Sequence, residues 1–420
     1  MLKKKNAKAL LATAALTLLA ACGSTPLPPD TGCGVPGGLC APAAPIASPP
    51  PDDRGYLPPP PAEPTRTNPV ELPPPLEGRP LASEVGGSGT RIALLLPLQS
   101  GALAQPAEAV RAGFMAGYER DRSGVTVNVV PTGDSSEATL EAYTRAAQQH
   151  DIVVGPLARP AVAALATSGA VTRPTIALNH PQINGPLPRQ MLVIGLSLED
   201  EARQVADWAA AEQPGGRALV LSGKAAWQQR LTGAFTARWS QLGLNNSVVE
   251  LPSSDGYVDG NALAELRARM QVDPPQLVFA ALDAVELRQV RSAIGSAIPT
   301  YGTASVNPGR DTSAPAPELS GVRILDLPWT VQPDHPLVAS YPRWGGPSEG
   351  FDMQRLYALG IDAFRIAREL ALRPNSAFQL DGVTGRLSVD MATGASSFRR
   401  VETGTVYRDG GQFETAAFGR

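Results

Sequence analysis

The chain has 420 residues, a formal net charge of −3 and 18% charged residues. That length accommodates two or three ordinary domains, and the slight acidity leaves no basic footprint for nucleic acid. Of its 42 prolines, 19 lie between residues 23 and 90, a skew that separates a tail from a body.

The first residues read as an export signal. Lys3, Lys4, Lys5 and Lys8 form a basic start, and Ala9–Ala21 is an apolar run of 13. Such a run is too short to span a bilayer and suits a signal core. Leu19-Ala20-Ala21-Cys22 has lipobox form, with small residues before the cut and a thiol to carry the diacylglycerol. Residues 1–21 are the expected signal peptide and Cys22 the expected lipidation site. Several acyl chains anchor far more firmly than one. Gly23 follows, and by resemblance to enterobacterial lipoproteins the absence of Asp there implies an outer-membrane anchor facing the periplasm. Cys33 and Cys40 are compatible with a small disulfide loop or with two free thiols.

Residues 22–90 carry repeated proline runs (49–51, 58–61, 73–75) and little aromatic content apart from Tyr56. They cannot bury enough apolar area to offset the entropy of ordering, so a disordered, part polyproline II linker is expected. A plain spacer is favoured over a ligand for a partner's aromatic groove. Gly86-Gly87-Ser88-Gly89 precedes a strand rather than following one, so it is not a phosphate-binding loop.

Ile92–Leu96 is an unbroken apolar run, the pattern of a strand covered on both faces. Pro97 stops it, and a polar turn, Gln99-Ser100-Gly101, leads to a helix over 106–120 with Val110, Phe114 and Tyr118 on one face. The alternation continues. Strand 125–130, helix 137–149, strand 151–154, helix 160–167 and strands 175–178 and 191–194 make one lobe. Ser197-Leu198-Glu199-Asp200 has capping-box form and opens a helix with Ala202, Val205, Trp208 and Ala209. Strand 218–221, helix 225–242, strand 247–251, helix 262–270, strand 277–280, helix 284–294 and a strand at 299–301 make another. Residues 305–320 have loop composition, 322–327 is a strand, and 351–372 is a long helix expected to return to the first lobe. Residues 382–418 read as antiparallel hairpins. Strict βαβα alternation with short connections predicts parallel sheets with right-handed crossovers. The fold class is therefore α/β, two Rossmann-like lobes as in the type I periplasmic-binding fold. Lobe 1 is expected over 91–195 plus 351–372, and lobe 2 over 197–304 plus 382–420.

Six stretches carry a family resemblance: Arg91–Leu98, Val154–Leu157, Thr175–Asn179, Gly195–Ala202, Asp326–Trp329 and Arg355–Ala363. Together they resemble the penicillin-binding protein activator family (LpoA/LppC type), over about residues 91–420. The resemblance implies an outer-membrane lipoprotein that stimulates a peptidoglycan synthase by contact. Larger members carry an N-terminal helical-repeat domain, and here the proline tether takes that place.

The sequence holds no Gly-x-Ser-x-Gly elbow and no four-ligand zinc spacing. Gly223-Lys224 lacks the upstream glycine of a P-loop. His150, His180 and His335 are far apart. Asp255 and Asp259 read as loop punctuation, since alternating calcium ligands are missing. The chain is thus expected to be neither an enzyme nor a cofactor or metal carrier. What remains is a cleft. Ligands in such lobes sit at the carboxyl ends of the strands, where the sequence puts Gln99, Ser100, Gly101, Gly155, Pro156, Asn179, Ser222, Gly223 and Tyr301. These are candidate ligand contacts, with plain turn formation as the competing reading. A solute-binding lipoprotein for an amino acid, sugar or cell-wall fragment is the alternative function.

Overall fold

The computed structural model describes residues 89–309, 316–345, 350–392, 394–408 and 410–416. The signal, Cys22, Cys33, Cys40 and the proline-rich segment lie outside the described residues.

The first sheet is all parallel. Its strands are β1 (Thr90–Leu96), β2 (Val125–Pro131), β3 (Ile152–Val154), β4 (Thr175–Ala177) and β5 (Met191–Val193), in the order β2-β1-β3-β4-β5. The run that begins at Ile92 is buried on both faces, as its lack of alternation requires. Ile92, Leu94 and Leu96 face one core, with Val110 and Phe114 of α1 (Ala104–Arg120). Ala93 and Leu95 face another, under α2 (Ser136–Gln149) and α3 (Arg159–Thr167).

The second lobe opens with α4 (Leu198–Glu212), where the Ser197 side chain accepts from Asp200 N at 3.1 Å. There follow β6 (Ala218–Ser222), α5 (Ala226–Gln241), β7 (Asn246–Glu250), a short hairpin β8 (Ser253–Ser254) and β9 (Tyr257–Val258), α6 (Gly260–Val272), β10 (Leu277–Ala281), α7 (Ala284–Ile294), β11 (Thr300–Gly302) and β12 (Arg323–Asp326). The parallel order β7-β6-β10-β11-β12 repeats the plan of the first sheet. Asp255 and Gly256 hold positive φ at the hairpin tip, as a primed turn requires. Asp259 caps α6 by accepting from Ala262 N at 2.9 Å. Both aspartates are therefore structural punctuation.

After β12 come two single turns, α8 (Pro328–Val331) and α9 (Pro336–Ala339), and then α10 (Phe351–Leu372). The last helix lies on α1 of the first lobe. Phe364 meets Phe114 edge-on at 5.3 Å between ring centroids and Tyr118 at 5.8 Å.

The tail is where expectation and structure part. The sequence reading gives all of 382–420 to the second lobe, but the structure divides it. Strands β13 (Ala377–Gly382), β14 (Gly385–Asp390) and β15 (Ser397–Val401) form their own antiparallel sheet. Its Phe378, Leu387 and Val389 belong to the first lobe's core. Only β16 (Thr403–Arg408) and β17 (Gln412–Thr415) join the second sheet, with β16 antiparallel to β12. Period-two alternation marks which side of a hairpin is buried, but not against which lobe.

Candidate functional site

The chain crosses between the lobes three times: after β5, after β12, and between β15 and β16. One buried charged cluster ties these crossings together. Arg355, on α10, is about 5% exposed, while Glu201 on α4 and Asp326 at the end of β12 are fully buried. The Arg355 guanidinium donates to Glu201 Oε1 at 2.5 Å and to Asp326 Oδ1. The remaining oxygens are met as well. Glu201 Oε2 accepts from Ala304 N at 3.1 Å, and Asp326 Oδ2 from Asn307 Nδ2 at 2.7 Å. Asp326 Oδ1 also takes Leu327 N at 2.7 Å. At the third crossing, Glu402 N donates to Gln204 Oε1 at 3.0 Å. Arg400 donates to Ile194 O at 2.7 Å and to Gly195 O at 3.1 Å on the first crossing.

The electrostatics follow from burial. Desolvation pushes the Glu201 carboxyl up and Asp326 adds to it, while Arg355 pulls it down. For Arg355, desolvation works against its charge, but Asp326 and Glu201 more than offset that and hold it cationic. Desolvation raises Glu402 well above the ordinary 4.5, and Glu201 raises it further. Its Oε2 is buried without a hydrogen-bond partner among the described residues. The site favours the neutral acid at that position.

A second buried carboxylate, Asp362 on α10, fastens the β13–β14 turn. It accepts from Val383 N at 3.1 Å, Thr384 N at 2.8 Å and Thr384 Oγ1 at 2.7 Å. The same turn holds α8 through Trp329 N to Val383 O at 2.9 Å.

The strand-end residues proposed for the cleft are mostly occupied with their own neighbours. Ser100 is buried, bonds Asp134 and accepts from Leu103 N at 2.8 Å, so it holds the turn that precedes α1. Gln99 and Gly101 are exposed beside it, and Gly101 N lies 3.3 Å from Asp134 Oδ2. Gly155 has φ +112°, and a Cβ there would sit 2.0 Å from Leu95 O, so only glycine fits. Gly155 and Pro156 are both buried. Asn179 is spent locally, donating to Leu157 O at 3.1 Å and accepting from His180 N at 2.9 Å. In the second lobe Ser222 accepts from Thr232 Oγ1 at 2.8 Å. Gln228 packs onto Gly223, where a Cβ would fall 2.0 Å from its Oε1. Gln228 is itself held by Glu286 at 2.7 Å, and Glu286 by Ser253 at 2.6 Å.

Tyr301 is no strand-end contact. Its ring is fully buried edge-on to Trp208 of α4, and its hydroxyl donates to Glu212 Oε2 at 2.7 Å, beside Arg323 at the start of β12. Burial and Glu212 push its phenol well up. A residue inside a strand alternates between sheet faces, and this one points into the core under α4.

Sequence reasoning placed the turn residues but missed the junction cluster. One signal was available. Glu201, Asp326 and Arg355 each fall inside one of the family-like stretches, and Asp326 is a charge between two leucines. Among the described residues, no group of three or more His, Cys, Asp or Glu could hold a metal. No described helix is long and apolar enough to cross a membrane.

A family model, described as "LppC putative lipoprotein", matches residues 85–396. The chain belongs to this family. LppC relatives include the penicillin-binding protein activator LpoA of Photobacterium profundum, 27% identical over 71% of this chain and 53% of the relative. That of Aliivibrio fischeri is 29% identical over 71% and 54%. The chain spans about half the length of these curated relatives. Among solved structures, a protein of Chromobacterium violaceum titled "a putative branched-chain amino acid ABC transporter" is 33% identical, with a TM-score of 0.64 over 76% of this chain and all of that one. The C-domain of LpoA from Haemophilus influenzae, described as a regulator of PBP1A, shares the fold. It has 23% identity and a TM-score of 0.60 over 78% of this chain and all of that one.

Proposed function

We propose that this LppC-family chain is anchored in the outer membrane through lipidated Cys22, faces the periplasm, and activates a peptidoglycan synthase, a penicillin-binding protein, by direct contact. The observation that carries this reading is the family match running through both lobes, with relatives named as activators of such synthases. The chain acts by docking, which shifts the synthase between conformations, and it breaks no bond itself. By its composition, the proline-rich stretch 22–90 is the proposed spacer between anchor and body.

The solute-binding alternative is less well supported, because most of the polar groups at the strand ends are already hydrogen-bonded within the chain. A clamp for an amino acid needs spare donors and acceptors there.

The test is a purified synthase assayed with and without the full chain. Glycan polymerisation or peptide crosslinking is expected to rise on addition, and no change in either refutes the proposal. A parallel thermal-shift series with glucose, galactose and ribose is expected to be flat. A true cleft ligand at 100 times its dissociation constant would add about 2.7 kcal/mol.

A further inference from the structure

The C-terminal end of α1, the residues around α9, one face of α10 and β13 enclose a cavity of about 270 Å³ on the first lobe. None of its lining residues belongs to the junction cluster or to the strand ends. Three arginines line it: Arg120, Arg365 and Arg368. Each is already fixed by a few contacts. Arg120 donates to Ser340 O at 3.1 Å and lies 5.3 Å over the Tyr341 ring. Arg365 donates to Asp381 O at 2.5 Å and sits 3.3 Å from Asp362 Oδ1. Arg368 pairs with Asp121 at 2.8 Å, and its Nε is a buried donor with no partner among the described residues.

A guanidinium offers five N–H donors in a rigid fork, and these contacts use only part of each. Side chains held in place lose little further freedom when a ligand arrives. Phe364, Leu337 and Leu380 supply the apolar part of the wall. Asp121 and Glu369 also line the cavity, and their charges oppose a dianion such as phosphate while tolerating a single negative charge.

We infer that this cavity binds a small organic monocarboxylate bearing an apolar group. The arginines take the carboxylate, and the part-exposed Leu337 and Leu380 receive the apolar part. The site is independent of the activator reading.

The test is calorimetric titration of the full chain with N-acetylleucine, with N-acetylleucinamide and inorganic phosphate as separate arms. Saturable binding is expected for the acid. The amide and phosphate should bind at least about tenfold more weakly, because charge-assisted bonds to the carboxylate are lost or opposed. Arg120→Gln should weaken the acid by about tenfold and Arg120→Lys by less, both with an unchanged melting temperature, since Arg120 is exposed. Arg145→Gln, on the remote α2, should change nothing. Absence of saturation, equal binding of acid and amide, tighter binding of phosphate, or an Arg120→Gln variant that binds normally would each overturn the inference.

Discussion

Replacing Arg355 with Met tests whether the junction cluster holds the two lobes together. The substitution keeps much of the volume and removes the cation shared by Glu201 and Asp326. Both carboxylates are fully buried, so neither can recover its lost partner from bulk water. Breaking a buried ion pair from one side costs about 3–5 kcal/mol. The backbone and amide donors that remain, Ala304 N, Leu327 N and Asn307 Nδ2, keep the loss toward the lower end of that range. Urea unfolding at pH 8 and pH 5 is the assay. The loss should be larger at pH 8, because at pH 5 the stranded Glu201 carboxyl, already raised by burial, can take up a proton and shed part of the penalty. Glu201→Gln added to the Met variant should recover part of the loss, since the two sites share one interaction. A single transition splitting into two would show that the cluster couples the lobes. A loss below about 1 kcal/mol, or one equal at both pH values, would refute the reasoning.

Three further outcomes follow from the same structure. Glu402 has its carboxyl pKa raised above the ordinary 4.5, so between that value and its folded value the native state binds more protons than the unfolded chain. Stability contributed there falls as pH rises. Glu402→Gln should therefore gain on the wild type from about pH 4.5 upward, and parallel urea-midpoint profiles for the two proteins would count against this. Gly360 on α10 lies against α1, where a Cβ would sit 2.1 Å from Val110 O. Ala at a helix interior normally gains about 1 kcal/mol over Gly, but here Gly360→Ala should destabilise by about 1–3 kcal/mol or more through overpacking; a raised melting temperature would contradict it. Cys22→Ser should move the chain from the membrane fraction to the soluble fraction, and retention at the membrane would argue against lipid anchoring through that residue.

Local sequence determined the local elements of this chain. The run Ile92–Leu96 could only be a strand covered on both sides, Ser197 could open a helix from its own side chain, and the alternation of strands and helices required parallel sheets. These features depend on spacing within a turn or two of chain, which residue type encodes directly. The tertiary structure decided everything that rests on which buried face meets which. It sent β13–β15 to the first lobe, turned Tyr301 into the core under α4, and spent Asn179, Ser222 and Gln228 on neighbours. It also gathered Glu201, Asp326, Arg355 and Glu402 from four separate segments around one point. A buried charge is tolerable only when it is paired, and the partners of Arg355 come from distant segments of the chain. The residues beside Arg355 therefore do not say which carboxylates it meets.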